Sequence, residues 1–177
     1  MRILLLLMSA AVATLHAAPI VFDFAVTNVG ANISITGTVT TTDLGSGKYL
    51  ATAGSGFFNG DPISLIPGGP ANMYSPLGLF IYDNVLYAAG NPYLDEEGLL
   101  FQDDAATGPY SGAELNIWGN GPYPPTYYST YVGLNGGYPI ADNGSIFTMS
   151  QEVPEPGTLA LFGIGLVALV ALRRRSA

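Results

Sequence analysis

Ile33, Ile35 and Val39 alternate with Ser34, Thr36, Thr38 and Thr40. A period of two sends apolar side chains to one face and hydroxyls to the other, the pattern of a half-buried β-strand. Phe22–Thr27 precedes this run, and Tyr49–Phe58 and Ile63–Ile66 follow it as further strands. "DLGSGK" separates the second strand from the third as a turn. Asn59-Gly60 predicts a type I′ hairpin, whose two central residues both need positive φ. These segments form a meander with one apolar face. "PGGPANMYSP" interrupts it as a long loop, and short candidate strands follow at Leu79–Tyr82, Val85–Tyr87, Leu99–Gln102, Glu114–Trp118, Tyr127–Val132 and Ser145–Glu152. No segment before residue 153 carries a helical period with caps, and 23 Gly and 13 Pro punctuate short strands throughout. The expected fold is all-β: a sandwich or an open, barrel-like antiparallel sheet of about eight to ten short strands.

The two ends follow a different logic. Met1–Ala17 has the form of a secretory signal peptide: Arg2 as its positive start, an apolar helix, and small residues at a signal peptidase cut after Ala17. At the other end, Pro154 and Pro156 bracket Glu155 and hold Val153–Pro156 extended. Gly157–Leu172 is uncharged and apolar. As a helix its 16 residues would reach about 24 Å, short against a hydrocarbon core of about 30 Å. Arg173, Arg174 and Arg175 then fix its cytoplasmic end. The chain thus divides into a signal peptide at 1–17, an extracytoplasmic β-domain at 18–152 and a tail at 153–177 with a hydrophobic helix at 157–172.

Pro154-Glu155-Pro156, the apolar helix and Arg173–Arg175, in that order, resemble the PEP-CTERM sorting signal of Gram-negative bacteria. The resemblance covers about 25 residues and implies a route: export, transient anchoring in the inner membrane, recognition by the protease-transpeptidase exosortase, and delivery to the cell surface or outside the cell. Carriers of this signal are exported proteins of bacteria that make exopolysaccharide. The stretch "GPANMYSPLGLFIYDNVLYAAGNPYLDEEGLLF" resembles segments of other proteins with this tail.

Composition narrows the chemistry. The only histidine is His16, inside the signal peptide, and cysteine is absent. Residues 18–155 therefore exclude His-dependent triads, Cys nucleophiles and ordinary zinc sites. The same region sets Lys48 alone against all 13 carboxylates, a formal net charge of −12, which repels nucleic acid.

Two constellations remain. Asp95, Glu96, Glu97, Asp103 and Asp104 offer the hard oxygen ligands that suit calcium, without EF-hand spacing; a solvated acidic turn is the plainer reading. Paired carboxylates also serve glycoside hydrolysis. Trp118, Tyr127 and Tyr128 stand in an aromatic segment broken by Gly and Pro, where planar faces suit sugar stacking; packing within the β-fold is the alternative. The expectation is a non-enzymatic, structural or adhesive matrix protein linked to exopolysaccharide and biofilm, with no cofactor. A carbohydrate- or calcium-binding module and a carboxylate-dependent hydrolase are the alternatives.

Overall fold

A computed structural model describes residues 19–69, 71–88, 92–119 and 128–152. The signal helix, the Pro-Glu-Pro segment, the hydrophobic helix and Tyr127 lie outside the described residues, among which no helix is long and apolar enough to cross a membrane. The strands are β1 (Ile20–Asn28), β2 (Ile33–Gly45), β3 (Lys48–Phe58), β4 (Asp61–Leu65), β5 (Met73–Tyr74), β6 (Ile81–Tyr82), β7 (Val85–Tyr87), β8 (Leu99–Asp103), β9 (Glu114–Gly119), β10 (Tyr128–Leu134) and β11 (Gly137–Gln151).

All are antiparallel, and the main sheet closes. β1 to β4 follow one another as neighbours, β4 pairs with β8, β8 to β11 follow in turn, and β11 returns to β1. The result is an eight-stranded barrel, not a sandwich or an open sheet. Closure removes the free edges that an open sheet would expose. Three of its strands are long: β2, β3 and β11 have 13, 11 and 15 residues. β7 adds to the start of β3, and β5 with β6 forms a separate ribbon.

The alternation read from the sequence sorts the two faces. Phe22, Phe24 and Val26 of β1 and Ile33, Ile35 and Val39 of β2 point inward and are buried. Phe24 packs against Phe101 at 5.4 Å and lies parallel to Phe147 at 6.0 Å between ring centroids. Side chains thus fill the barrel interior. Asn59-Gly60 turns β3 into β4 with φ of 51° and 98°, as expected. Asn135-Gly136, at 52° and 79°, makes an equivalent turn between β10 and β11.

β11 begins at Gly137, well before the expected strand Ser145–Glu152. Gly137, Pro139, Asp142, Asn143 and Gly144 imitate loop composition, yet they belong to β11. β1 pairs with β11 only from Ile146 onward, so Pro139 lies where no β1 partner needs its missing N–H.

The insertion between β4 and β8 folds back over the outside of β8 and β9. Phe80, Tyr82 and Leu100 form a second small core there, flanked by Ile66, Leu79 and Tyr131. Leu99, Leu100 and Phe101 are consequently all buried, although they alternate between the two faces.

Candidate functional site

On the outer face of β9, Asn116 and Trp118 alternate with the inward Leu115 and Ile117. Tyr131 of β10 stands directly opposite Asn116. Its ring meets Trp118 edge-on at 4.6 Å and Tyr138 of β11 edge-on at 5.8 Å. Tyr138 in turn touches Phe80 at 5.6 Å. Edge-to-face contacts of this kind add about 0.5–1.5 kcal/mol beyond burial, and they fix the rings relative to one another. With Leu79, Ile81 and Glu96, these residues line an open groove of about 580 Å³. That volume falls within the range of ligand sites.

The wall opposite the sheet is tied down through its polar groups. Glu114 is buried, and its Oε1 accepts the Leu77 amide at 2.7 Å. Tyr138 Oη donates to Leu79 O at 2.9 Å, while within the sheet Tyr131 Oη donates to Asn143 Oδ1 at 3.3 Å. The fully buried Asn84, φ 59°, donates from Nδ2 to Ile66 O and accepts Leu100 N on Oδ1, joining the insertion to β8. The sequence reading passed over Asn84, though an Asp-Asn pair between two short apolar runs is a turn signal.

The predicted contact residues separate. Trp118 is half-buried and lines the groove. Tyr128 is corrected to the interior: it is 3% exposed, packs against Phe147 at 5.0 Å, and its hydroxyl accepts the Tyr93 amide. One residue of register decides this, because neighbouring strand residues face opposite ways. Tyr131 and Tyr138 of the same aromatic segment line the groove beside Trp118, and Tyr127 lies outside the described residues.

The five carboxylates also disperse. Asp95 accepts Tyr87 Oη and the Gly98 amide, and Glu97 accepts Asn72 Nδ2. Glu96 lines the aromatic groove. Asp103 faces inward and is 2% exposed; burial raises its pKa, with Asp61 and Asp104 adding repulsion. Asp104 lines a separate concavity of about 660 Å³ with Asp23, Phe57 and several Ser and Thr residues, but without clustered rings. Among the described residues no three acidic groups converge to hold a metal ion.

Asp83, within the insertion, is 7% exposed. Burial, with Asp95 and Glu97 adding repulsion, pushes its pKa up from 3.8 to about 6. The folded chain therefore holds this proton more tightly than the unfolded chain. Its contribution to stability falls as pH rises from about 4 to about 6 and is level above that. Thermal unfolding should show a higher midpoint at the acid end of this window. Asp83→Asn should flatten the slope and raise the midpoint at neutral pH; an unchanged slope would show that Asp83 titrates normally.

Residues 152–175 match the PEP-CTERM protein-sorting motif. The chain therefore carries this motif, which implies export, exosortase processing and transient membrane anchoring before release. No curated protein and no solved structure matches the chain.

Proposed function

We propose that the exported barrel is a non-catalytic, structural or adhesive component of the cell surface or extracellular matrix, which holds exopolysaccharide in its aromatic groove and contributes to a biofilm. The observation that carries this reading is the continuous array Trp118–Tyr131–Tyr138–Phe80 along an open groove. Aromatic faces pack on the C–H faces of pyranose rings, and an open groove lets a long chain enter sideways. Tyr138 and Ile81 remain 47% and 46% exposed, so apolar surface is available for contact. Binding fits better than hydrolysis. Glycoside cleavage needs two carboxyls about 5–9.5 Å apart, and among the described residues Glu96 is the one carboxylate in the groove lining.

Trp118→Ala tests this reading. A central aromatic contact is worth about 2 kcal/mol or more, so retention on exopolysaccharide should fall at least about thirtyfold. Because Trp118 is only half-buried, folding should lose less than the about 3–5 kcal/mol of a fully buried aromatic. Unchanged retention by a folded Trp118→Ala protein would remove the groove as the contact site.

A further inference from the structure

We infer that the groove selects a polysaccharide bearing free amino groups, such as an incompletely acetylated hexosamine polymer, over an acidic one. This rests on the carbohydrate reading of the groove and concerns which class of sugar it accepts. The inference comes from which hydrogen-bonding groups the groove still has to offer. Both Asn116 Nδ2 protons are engaged by backbone carbonyls, Glu97 O at 3.0 Å and Leu99 O at 3.4 Å, so its amide can present a ligand only with Oδ1, an acceptor. The hydroxyl protons of Tyr131 and Tyr138 are committed to Asn143 Oδ1 and Leu79 O, which leaves those oxygens as acceptors too. Glu96, an exposed carboxylate, accepts only. The indole N–H of Trp118 is a donor, and among the described residues no Lys or Arg lines the groove.

A site whose described side-chain polar groups are acceptors, apart from the Trp118 indole N–H, and whose walls are aromatic matches a ligand rich in donors. A hexosamine ammonium supplies three N–H donors and a positive charge beside C–H faces that pack on rings. Glu96 pairs with that charge, and the faces of Trp118 and Tyr131 attract it through their quadrupoles. A uronate meets the opposite situation. Among the described lining residues its carboxylate finds no cation and one indole N–H, that of Trp118, in place of a donor pair, and it approaches a region 18–155 of formal net charge −12. The specificity thus includes a repulsive element as well as an attractive one.

The chain has one tryptophan, so fluorescence from Trp118 reports on the groove without background. The experiment titrates the exported protein with four probes: a β-linked glucosamine oligomer, its fully N-acetylated counterpart, a galacturonate oligomer and an oligolysine of equal charge. The glucosamine oligomer should bind best, the acetylated one about fivefold weaker, and the galacturonate not measurably. Added salt should narrow the first difference. Glu96→Gln should weaken glucosamine binding about fivefold and leave the acetylated oligomer unchanged, which a purely structural role for Glu96 would not produce. Equal binding of the free and acetylated oligomers, unaffected by Glu96→Gln, would overturn the amino-sugar inference while leaving the carbohydrate site standing. Oligolysine binding as tightly as glucosamine would overturn it in favour of a general cation surface. Absence of all sugar binding would remove the carbohydrate site itself.

Discussion

Asn84→Leu will unfold the barrel or leave it close to the unfolding midpoint. Leucine satisfies neither Ile66 O nor Leu100 N, both now served by the Asn84 amide. Each buried group left unpaired costs about 1–3 kcal/mol. A γ-branched residue held at φ 59° adds about 1–2 kcal/mol. The expected loss is about 3–8 kcal/mol, against a total stability of about 5–15 kcal/mol for a domain of this kind. Denaturant unfolding of Asn84→Leu beside Asn84→Gly separates the two causes. Glycine accepts the backbone angle and loses only the hydrogen bonds, so it should be the milder change. Equal stabilities would show that the angle carries no cost, and wild-type stability for both would show that the amide is not a staple.

Gly98→Ala should be nearly as damaging for a different reason. Gly98 has φ 63°, and a Cβ there would lie 2.0 Å from Ile117 O and 2.7 Å from Trp118 Cα. Those are backbone atoms of β9, which pairs on both sides with β8 and β10 and cannot withdraw. Overpacking and the left-handed angle together cost about 3–5 kcal/mol. Gly112→Ala is the internal control. Its φ is 75°, and a Cβ there meets nothing within 4 Å, so only the angle is penalised, at about 1 kcal/mol. Because the Gly98 clash bears on Trp118, surviving folded protein should also show altered tryptophan emission. If Gly98→Ala unfolds no earlier than Gly112→Ala, close packing of this turn on β9 is not what the site requires.

Much of the barrel was legible because strand patterning is local. Ile33 to Thr40 shows its two faces in seven side chains, and Asn59-Gly60 marks its own turn. The same logic failed at residues 137–144. A strand edge without a partner tolerates Pro139 and the Asn143-Gly144 pair, so its composition is that of a loop. Closure of the sheet was illegible because the β4–β8 and β11–β1 pairings join distant segments that carry no mutual signature. One clue to the covering insertion was present: Leu99-Leu100-Phe101 is apolar without alternation, the mark of a strand buried on both faces. The aromatic site was half legible. Trp118 and the tyrosines stood out by type, but "YYSTY" places tyrosines on both parities of β10, and only the register with β9 sends Tyr128 inward and Tyr131 outward.

The pairing of β1 with β11 sets Phe22 beside Gln151, and the Glu152 amide donates to Val21 O at 2.8 Å. During export the chain crosses the membrane from its amino end, so β1 emerges first and waits for its partner while more than a hundred residues follow. Until then the hydrogen-bonding edge of β1 is open to any neighbouring chain, and the meander cannot become a barrel. The strand that ends this wait runs directly into the sorting motif at residue 152. Maturation of the fold and arrival of the sorting signal are therefore one event in time, and a chain truncated before β11 would lose its closure and its destination together.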